Sequence, residues 1–270
     1  MPHVVAFEIP RVATAPLGMT IDFDGRPPPS AFRPLPSAAI LRGMSSAKQR
    51  AAMAALEYVR SDSVIGIGTG STADLFIRAL GAALASGQLR NVRGVPTSNA
   101  SDRLAREVGV PIVALKDHPT LDVAIDGADE VDPQLNLIKG LGGALLREKI
   151  IAQSATRMIV IADEGKLVPA LGTKSPLPVE VVAFSHEVLV AHLRRLGGEP
   201  TIRRCADGSI FTTDNGNYIY DCKFDRIDDP AELERAIRAR AGIVDTGLFL
   251  GIASVAIIGT DDGVRKVERA

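Results

Sequence analysis

The feature that most constrains this chain is an apolar run that ends in glycines and passes directly into a helical pattern. Residues 63–80 read SVIGIGTGSTADLFIRAL, with glycines at 66, 68 and 70. A short apolar run bounded by glycine fits a buried strand, and the spacing after Ser71 fits a helix with one apolar face. The pattern therefore predicts a strand, a tight turn and a helix, which is the first unit of a parallel α/β sheet.

The same alternation continues along the chain. Helical segments such as 101–108 and 144–154 separate further strand candidates, which are 94–97, 111–115, 121–126 and 158–162. Strands that alternate with helices predict a Rossmann-like open parallel sheet with helices on both faces. The tail, 253–268, adds one more apolar strand that we expect to rejoin this sheet.

A second unit follows a proline-containing linker at 175–181. Its predicted elements are strand 179–184, helix 187–196, strands 201–205 and 218–224, helix 231–239 and strand 243–250. This βαββαβ order is typical of a ferredoxin-like α+β domain, and Asn215-Gly216 favours a tight turn between its middle strands. We predict a catalytic domain at 44–175 and 248–270, with an inserted lid domain at 176–247.

The first 43 residues differ from the rest, because they hold eight of the 17 prolines and no sustained apolar period. Such proline density prevents regular helices and disfavours paired strands. We expect a disordered extension at 1–43. The alternative is that Met44 is the biological start.

Composition excludes several classes of protein. A formal net charge of -1 without a basic block, and an aromatic content of 4%, argue against a nucleic-acid groove or an anionic membrane surface. Cys205 and Cys222 form no CxxC motif, so we expect packed thiols in a reduced, cytoplasmic setting.

The glycine turn is the first of three motifs with chemical meaning. At a helix N-terminus, exposed backbone N–H groups and the hydroxyls of Ser71 and Thr72 suit a phosphate. A dinucleotide fingerprint would need glycine at 71, and a P-loop would need a lysine before the hydroxyl residue. The alternative interpretation is a structural turn with an ordinary serine cap.

The second motif, IDGADEVD at 125–132, releases acidic side chains at the carboxyl edge of the sheet, where open α/β folds bind ligands. Asp126 and Asp129 suit hydroxyl binding and proton transfer. Glu130 and Asp132 are expected to form a solvated acidic loop. A metal site is less attractive, because no histidine is near and Lys139 already supplies positive charge.

The third motif is KGLGGALLREK at 139–149. Lys139 could stabilise a developing oxyanion, while the apolar surroundings of Glu148 should raise its pKa and suit a general base. The alternative pairs Glu148 with Arg147 or Lys149 on a surface helix, although sequence neighbours do not face each other there. Lys166 is expected at the same edge of the sheet.

Five segments in order, GIGTGSTA, DGADEVD, KGLGGALLREKI, PLPVEV and TDNGN, closely resemble the type A family of ribose-5-phosphate isomerases over about residues 46–268. The resemblance implies reversible interconversion of D-ribose 5-phosphate and D-ribulose 5-phosphate in the pentose phosphate pathway. It also implies a homodimer and a mechanism that needs neither metal nor cofactor.

The family's functional positions carry over to matching residues of this chain. The implied catalytic residues are Glu148 as base, Asp126 and Lys139. Substrate contacts are implied for Thr69, Gly70, Ser71, Thr72, Asp126, Gly127, Ala128, Asp129, Lys139, Gly140, Leu141, Gly142 and Lys166. Lys48 matches a further phosphate contact, and Leu141 stands where the family often has glycine, which its backbone tolerates if φ is negative.

Two other kinds of protein remain as alternatives. Amino-sugar-phosphate deaminases and coenzyme A transferases have similar α/β domains, and in a transferase a glutamate acts as nucleophile. A non-catalytic sugar-phosphate sensor would need an output domain, for which residues 1–43 are too short and too rich in proline.

Overall fold

The computed structural model describes residues 46–269, which form six α-helices and thirteen strands. The predicted extension at 1–43 and the alternative start at Met44 lie outside the described residues. The helices are α1 (Ala47–Ala55), α2 (Ser71–Ala85), α3 (Asn99–Glu107), α4 (Leu145–Ser154), α5 (Val190–Arg195) and α6 (Pro230–Arg238). The strands are β1 (Val64–Ile67), β2 (Arg93–Pro96), β3 (Val123–Gly127), β4 (Glu130–Val131), β5 (Leu137–Ile138), β6 (Met158–Asp163), β7 (Leu177–Val181), β8 (Glu199–Ile202), β9 (Tyr218–Lys223), β10 (Ile243–Thr246), β11 (Leu248–Phe249), β12 (Ala253–Gly259) and β13 (Val264–Glu268).

The central sheet has six strands in the order β13-β12-β6-β3-β1-β2, all parallel except β13. Successive side chains of a strand face opposite sides of its sheet. Ile65 and Ile125 pack in one core with α1 and α2, whereas Val64 and Ala124 pack in another core with Ile151 of α4. The predicted α/β sheet with helices on both faces is therefore confirmed.

The alternation of side chains along β3 determines which face of the sheet Asp126 lies on. Along β3, Val123 and Ile125 face α1 and α2, while Ala124 faces α4. Asp126 follows in the same register and therefore faces α4, the helix that carries Glu148. Strands β1 and β3 are neighbours, and the chain continues from β1 to β2 on one side and from β3 to β6 on the other side. A crevice at such a switch point is where open α/β folds bind ligands.

The second sheet is antiparallel, in the order β10-β7-β9-β8, and its strands and helices follow one another in the predicted βαββαβ order. Strands β8 and β9 pair as expected. The predicted tight turn at Asn215-Gly216 is present: the Gly216 N–H donates to the Thr213 carbonyl at 2.9 Å, and the Thr213 N–H donates to the Asn217 carbonyl at 2.8 Å. It does not join the two strands directly, because residues 203–217 separate β8 from β9. The domain boundaries at 176 and 247 stay predictions.

Three predicted strands differ in the structure. Residues 111–115 make only an isolated bridge, Gly94 to Ile112, before a 3-10 turn begins at Leu115. Residues 253–268 form a hairpin of two strands rather than one strand, because β13 folds back along β12. Residues 243–250 divide at Gly247 into β10 and β11, which belong to different sheets. No helix among the described residues is long and apolar enough to cross a membrane.

Candidate active site

Three buried charged side chains meet at the carboxyl edge of the central sheet. The Lys139 Nζ lies 3.1 Å from Asp126 Oδ2 and 3.3 Å from Glu148 Oε1, and all three side chains are 3–4% exposed. Lys139 also donates a 2.7 Å hydrogen bond to the carbonyl of Gly127. The other oxygen of Glu148, Oε2, is buried and has no hydrogen-bond partner among the described residues. One ammonium thus serves two carboxylates, and one of them keeps a free oxygen.

Asp126 is fixed by the glycine turn beside it. Its Oδ1 accepts hydrogen bonds from the N–H groups of Gly127 at 2.7 Å and Thr69 at 3.1 Å. A Cβ atom on Gly68 would lie 2.0 Å from that same oxygen, so only glycine allows the turn to come this close. The glycine turn therefore positions the Asp126 carboxylate as well as starting helix α2.

The backbone of Lys139 is held at Gly247, where the chain passes from β10 in one sheet to β11 in another. Lys139 follows β5, and its N–H donates to the Gly247 carbonyl at 2.9 Å. A Cβ atom on Gly247 would lie 2.2 Å from the Lys139 carbonyl oxygen. The Lys139 ammonium also lies 5.5 Å from the ring centroid of Phe249, within the range of a cation–π interaction.

Burial and neighbouring charges shift the pKa values of this cluster in ways that suit proton transfer. Burial raises the pKa of Glu148 to about 8, although Lys139 acts in the opposite direction. Burial also raises the pKa of Asp126, against the effects of Lys139 and the two N–H donors. For Lys139, burial alone would lower the pKa, but the carboxylates of Asp126, Glu148 and Asp129 raise it instead. Lys139 is therefore a cation at neutral pH, next to a carboxyl group that titrates near neutrality.

The alternative in which Glu148 pairs with Arg147 or Lys149 on a surface helix is wrong, because both of these cations have other partners. Lys149 donates to Asp245 at 2.7 Å and Glu234 at 3.0 Å. Arg147 donates to Asn215 at 2.8 Å. Both cations point away from Glu148, whose ionic contact is Lys139.

The opposite end of the site collects donors for an anion. Helix α2 begins at Ser71, and the first N–H groups of a helix have no acceptor within it. Lys48 of α1 donates to Ser71 Oγ at 2.9 Å. Lys166, in the 3-10 turn after β6, has its Nζ 4.0 Å from Asp129 Oδ1. A helix N-terminus, a hydroxyl and two ammonium groups suit a phosphate.

A cleft with a volume of about 80 Å³ joins the two ends. Most predicted site residues line it: Lys48, Thr69, Gly70, Ser71, Thr72, Gly127, Ala128, Asp129, Lys139, Gly140, Gly142, Glu148 and Lys166. Asp126 lies behind Lys139 and does not line the cleft. Leu141 also lies outside the lining; its φ is not positive, and its N–H donates to Asp129 Oδ2 at 2.9 Å.

Two acidic side chains do not behave as the sequence suggested. Glu130 is fully buried and accepts hydrogen bonds from the N–H groups of Gly172, Lys174 and Ser175. Asp132 is also buried and closes its own turn by accepting from the N–H groups of Gln134 and Asn136. The predicted solvated loop is therefore wrong, because backbone donors surround both carboxylates.

The glycine turn is also linked to polar residues outside the three motifs. Thr69 Oγ1 lies 2.7 Å from Thr97 Oγ1 and 2.8 Å from Ser98 Oγ, a network that was not predicted. The Ser98 capping box at the start of α3 is the only sequence signal of this network.

Of the two thiols expected to be packed, Cys222 is buried but Cys205 is exposed. No group of three or more His, Cys, Asp or Glu side chains within 46–269 is arranged to hold a metal ion.

The chain is similar to known proteins over most of its length. Residues 93–263 match the family described as Ribose 5-phosphate isomerase A (phosphoriboisomerase A). The ribose-5-phosphate isomerase A of Roseiflexus castenholzii is 54% identical over 221 residues, which cover 82% of this chain and 94% of that protein. The Deinococcus radiodurans protein of the same name is 47% identical over 226 residues, covering 84% and 99%.

Solved structures give the same result. A D-ribose-5-phosphate isomerase in complex with phospho-erythronic acid is 44% identical, with a TM-score of 0.80 over 83% of this chain and 98% of that one. Ribose 5-phosphate isomerase A from Methanocaldococcus jannaschii is 42% identical, with a TM-score of 0.78 over 82% and 98%. The present chain belongs to the ribose 5-phosphate isomerase A family.

Proposed function

We propose that this isomerase interconverts D-ribose 5-phosphate and D-ribulose 5-phosphate by proton transfer through an enediolate, with Glu148 as the base. The observation that carries the proposal is the arrangement of the Glu148 carboxylate. One oxygen contacts Lys139 at 3.3 Å and the other is buried without a described partner. Glu148 and Lys139 both line the cleft whose other end gathers Ser71, Lys48 and Lys166.

The proposed chemistry follows from these positions. The Glu148 carboxylate removes the proton from C2 of the open-chain aldose, the C1=C2 double bond forms, and the aldehyde oxygen becomes an oxyanion. Lys139 stabilises that charge as it develops. The proton of the C2 hydroxyl moves to the C1 oxygen, and Glu148 returns its own proton to C1, which leaves a ketone at C2. Each step conserves protons and electrons, so no redox partner is required.

Substrate binding in this proposal uses both ends of the cleft. The phosphate binds at the α2 N-terminus, with Ser71, Thr72, Lys48 and Lys166. Asp129, which lines the cleft, orients the sugar hydroxyls, and Asp126, which contacts Lys139, assists opening of the furanose ring. The full proposed set of substrate-site residues, all of which line the cleft except Asp126 and Leu141, is Thr69, Gly70, Ser71, Thr72, Asp126, Gly127, Ala128, Asp129, Lys139, Gly140, Leu141, Gly142 and Lys166. The phospho-erythronic acid bound by a relative of similar structure supports a site for a phosphorylated acyclic ligand.

We infer a homodimer, a cytoplasmic location and a metal-independent reaction. We also infer that residues 176–247 act as a lid on a catalytic domain built from 44–175 and 248–270. These inferences rest on the family resemblance and on the absence of any required redox or metal step in the proposed chemistry.

A coupled assay tests the proposal directly. Purified protein is given ribose 5-phosphate, and ribulose 5-phosphate formation is followed with and without a chelator. We expect turnover that the chelator does not change. Absence of turnover would contradict the function, and loss of turnover with the chelator would contradict the metal-independent mechanism. Formation of a glutamyl thioester from an acyl-coenzyme A would instead indicate a transferase.

A further inference from the structure

The glycine-containing loop at 140–143 is held from the side of the second sheet by one arginine. Arg203, just beyond β8, donates from one guanidinium nitrogen to the carbonyls of Gly140 at 2.9 Å and Leu141 at 3.1 Å. Its remaining nitrogens form a bidentate pair with Asp221 of β9, at 2.9 and 2.5 Å. The Arg203 side chain is 12% exposed, so solvent screens these bonds weakly.

The direction of these bonds decides which way the loop amides face. A peptide unit is planar and trans, so its C=O and N–H groups point to opposite sides. In the unit that joins Gly140 to Leu141, the carbonyl faces Arg203 and the N–H donates to Asp129 at 2.9 Å. In the next unit the Leu141 carbonyl also faces Arg203, which directs the Gly142 N–H the opposite way. Gly142 lines the cleft, and its N–H donates to no other group in the part of the chain that the structure describes.

A second contact from the same segment limits the movement of the loop. Phe211 packs so closely against Gly143 that a Cβ atom there would lie 2.5 Å from the Phe211 ring. The Arg203 guanidinium lies 5.7 Å from the same ring. Residues 203 and 211 are joined by a backbone hydrogen bond of 3.0 Å, from the Phe211 N–H to the Arg203 carbonyl. The loop is therefore confined between Asp129 on the cleft side and this segment on the other.

We propose that Arg203, held by Asp221, is a positioning residue for the isomerisation: it fixes the peptide units of 140–142 so that one amide holds Asp129 and the next, that of Gly142, donates to a substrate oxygen. This inference rests on the proposed function. Arg203 does not touch substrate in this proposal and acts through the loop. A backbone donor aimed at developing charge contributes to the rate only while its direction is fixed.

Arg203→Lys tests the proposal, because lysine keeps the charge but cannot bind two carbonyls and a bidentate carboxylate together. We expect kcat to fall roughly 10- to 100-fold, as misplaced catalytic groups do. KM and the inhibition constant of inorganic phosphate should change less than about threefold, because the phosphate donors lie on α1, α2 and the 3-10 turn. Arg204→Lys is the matched control, since the Arg204 side chain donates to Gly208 in its own loop and to no other group within residues 46–269, and it should keep wild-type kcat.

Chemical rescue separates positioning from general stability. In Arg203→Ala, added guanidinium should restore part of kcat and ammonium should not. Wild-type kcat in Arg203→Lys would overturn the inference, as would parallel losses in kcat, phosphate binding and melting temperature without rescue. If the unsubstituted chain shows no isomerase activity, the proposed function fails and this inference fails with it. If that chain is active while Arg203→Lys is unimpaired, only the inference fails.

Discussion

The substitution Glu148→Gln removes the proposed base while keeping the size of the side chain and an acceptor for Lys139. General-base catalysis contributes typically about 10²–10⁴-fold, so kcat should fall by that range. In activation free energy this is roughly 3–5 kcal/mol. KM should change little, because the phosphate donors around Ser71 lie at the other end of the cleft.

The same substitution should not destabilise the fold. The folded pKa of Glu148, about 8, lies above its ordinary value of 4.5, so the unfolded chain releases this proton first as pH rises. The native state therefore loses stability between about pH 4.5 and 8, by on the order of 3 kcal/mol at pH 7 at about 1.4 kcal/mol per pH unit. The neutral amide lacks this penalty, so the variant should be at least as stable as wild type at pH 7.

The assay combines steady-state turnover of ribose 5-phosphate with urea unfolding at pH 5 and pH 7. Glu107→Gln, at an exposed ion pair with Arg78, is the matched control and should leave both properties unchanged. A Glu148→Gln enzyme that keeps a tenth or more of wild-type kcat would refute the assignment of the base. An inactive variant that is also strongly destabilised at pH 7 would refute the argument from burial.

Three further predictions concern pH, the glycine turn and the phosphate end. Because the Glu148 carboxylate is the active form and its pKa is about 8, kcat/KM should fall as pH drops below 8; a flat profile from pH 6 to 9 would contradict this. Gly68→Ala should lower kcat and cost about 1–3 kcal/mol of stability, because its Cβ would lie 2.0 Å from Asp126, whereas Gly263→Ala has open space and should be silent in activity and unfolding assays. Ser71→Ala should raise KM roughly threefold to tenfold, as loss of one hydrogen bond does, with kcat nearly constant in initial-rate measurements.

Much of this arrangement was predictable because strand ends of a parallel sheet meet at one edge. The apolar runs before Gly66 and Asp126 located two such ends, and the alternation of side chains in β3 turns Asp126 toward the helix of Glu148. The structure places both carboxylates beside Lys139, while their catalytic roles stay predictions.

The features of the fold and site that the sequence did not predict depend on contacts between residues far apart in sequence. Glu130 was misjudged as solvated because its donors lie 42–45 residues later in the chain. The contacts of Arg203 with the loop span 62–63 residues, and no local pattern marks them. The change of sheet at Gly247 is equally hidden, since residues 243–250 look like one continuous strand. Local periodicity cannot reveal partners that only tertiary packing brings together.

The most direct test of proton transfer by Glu148 is solvent exchange, measured by proton NMR of ribose 5-phosphate equilibrated with the enzyme in D₂O. When a base takes a proton from one carbon and returns a proton to the neighbouring carbon, the proton on the base exchanges with solvent over many turnovers. We expect deuterium at C2 of the aldose and at C1 of the ketose with wild type, and none with Glu148→Gln. Complete retention of protium after many wild-type turnovers would indicate direct hydride transfer between the carbons and would contradict the enediolate mechanism.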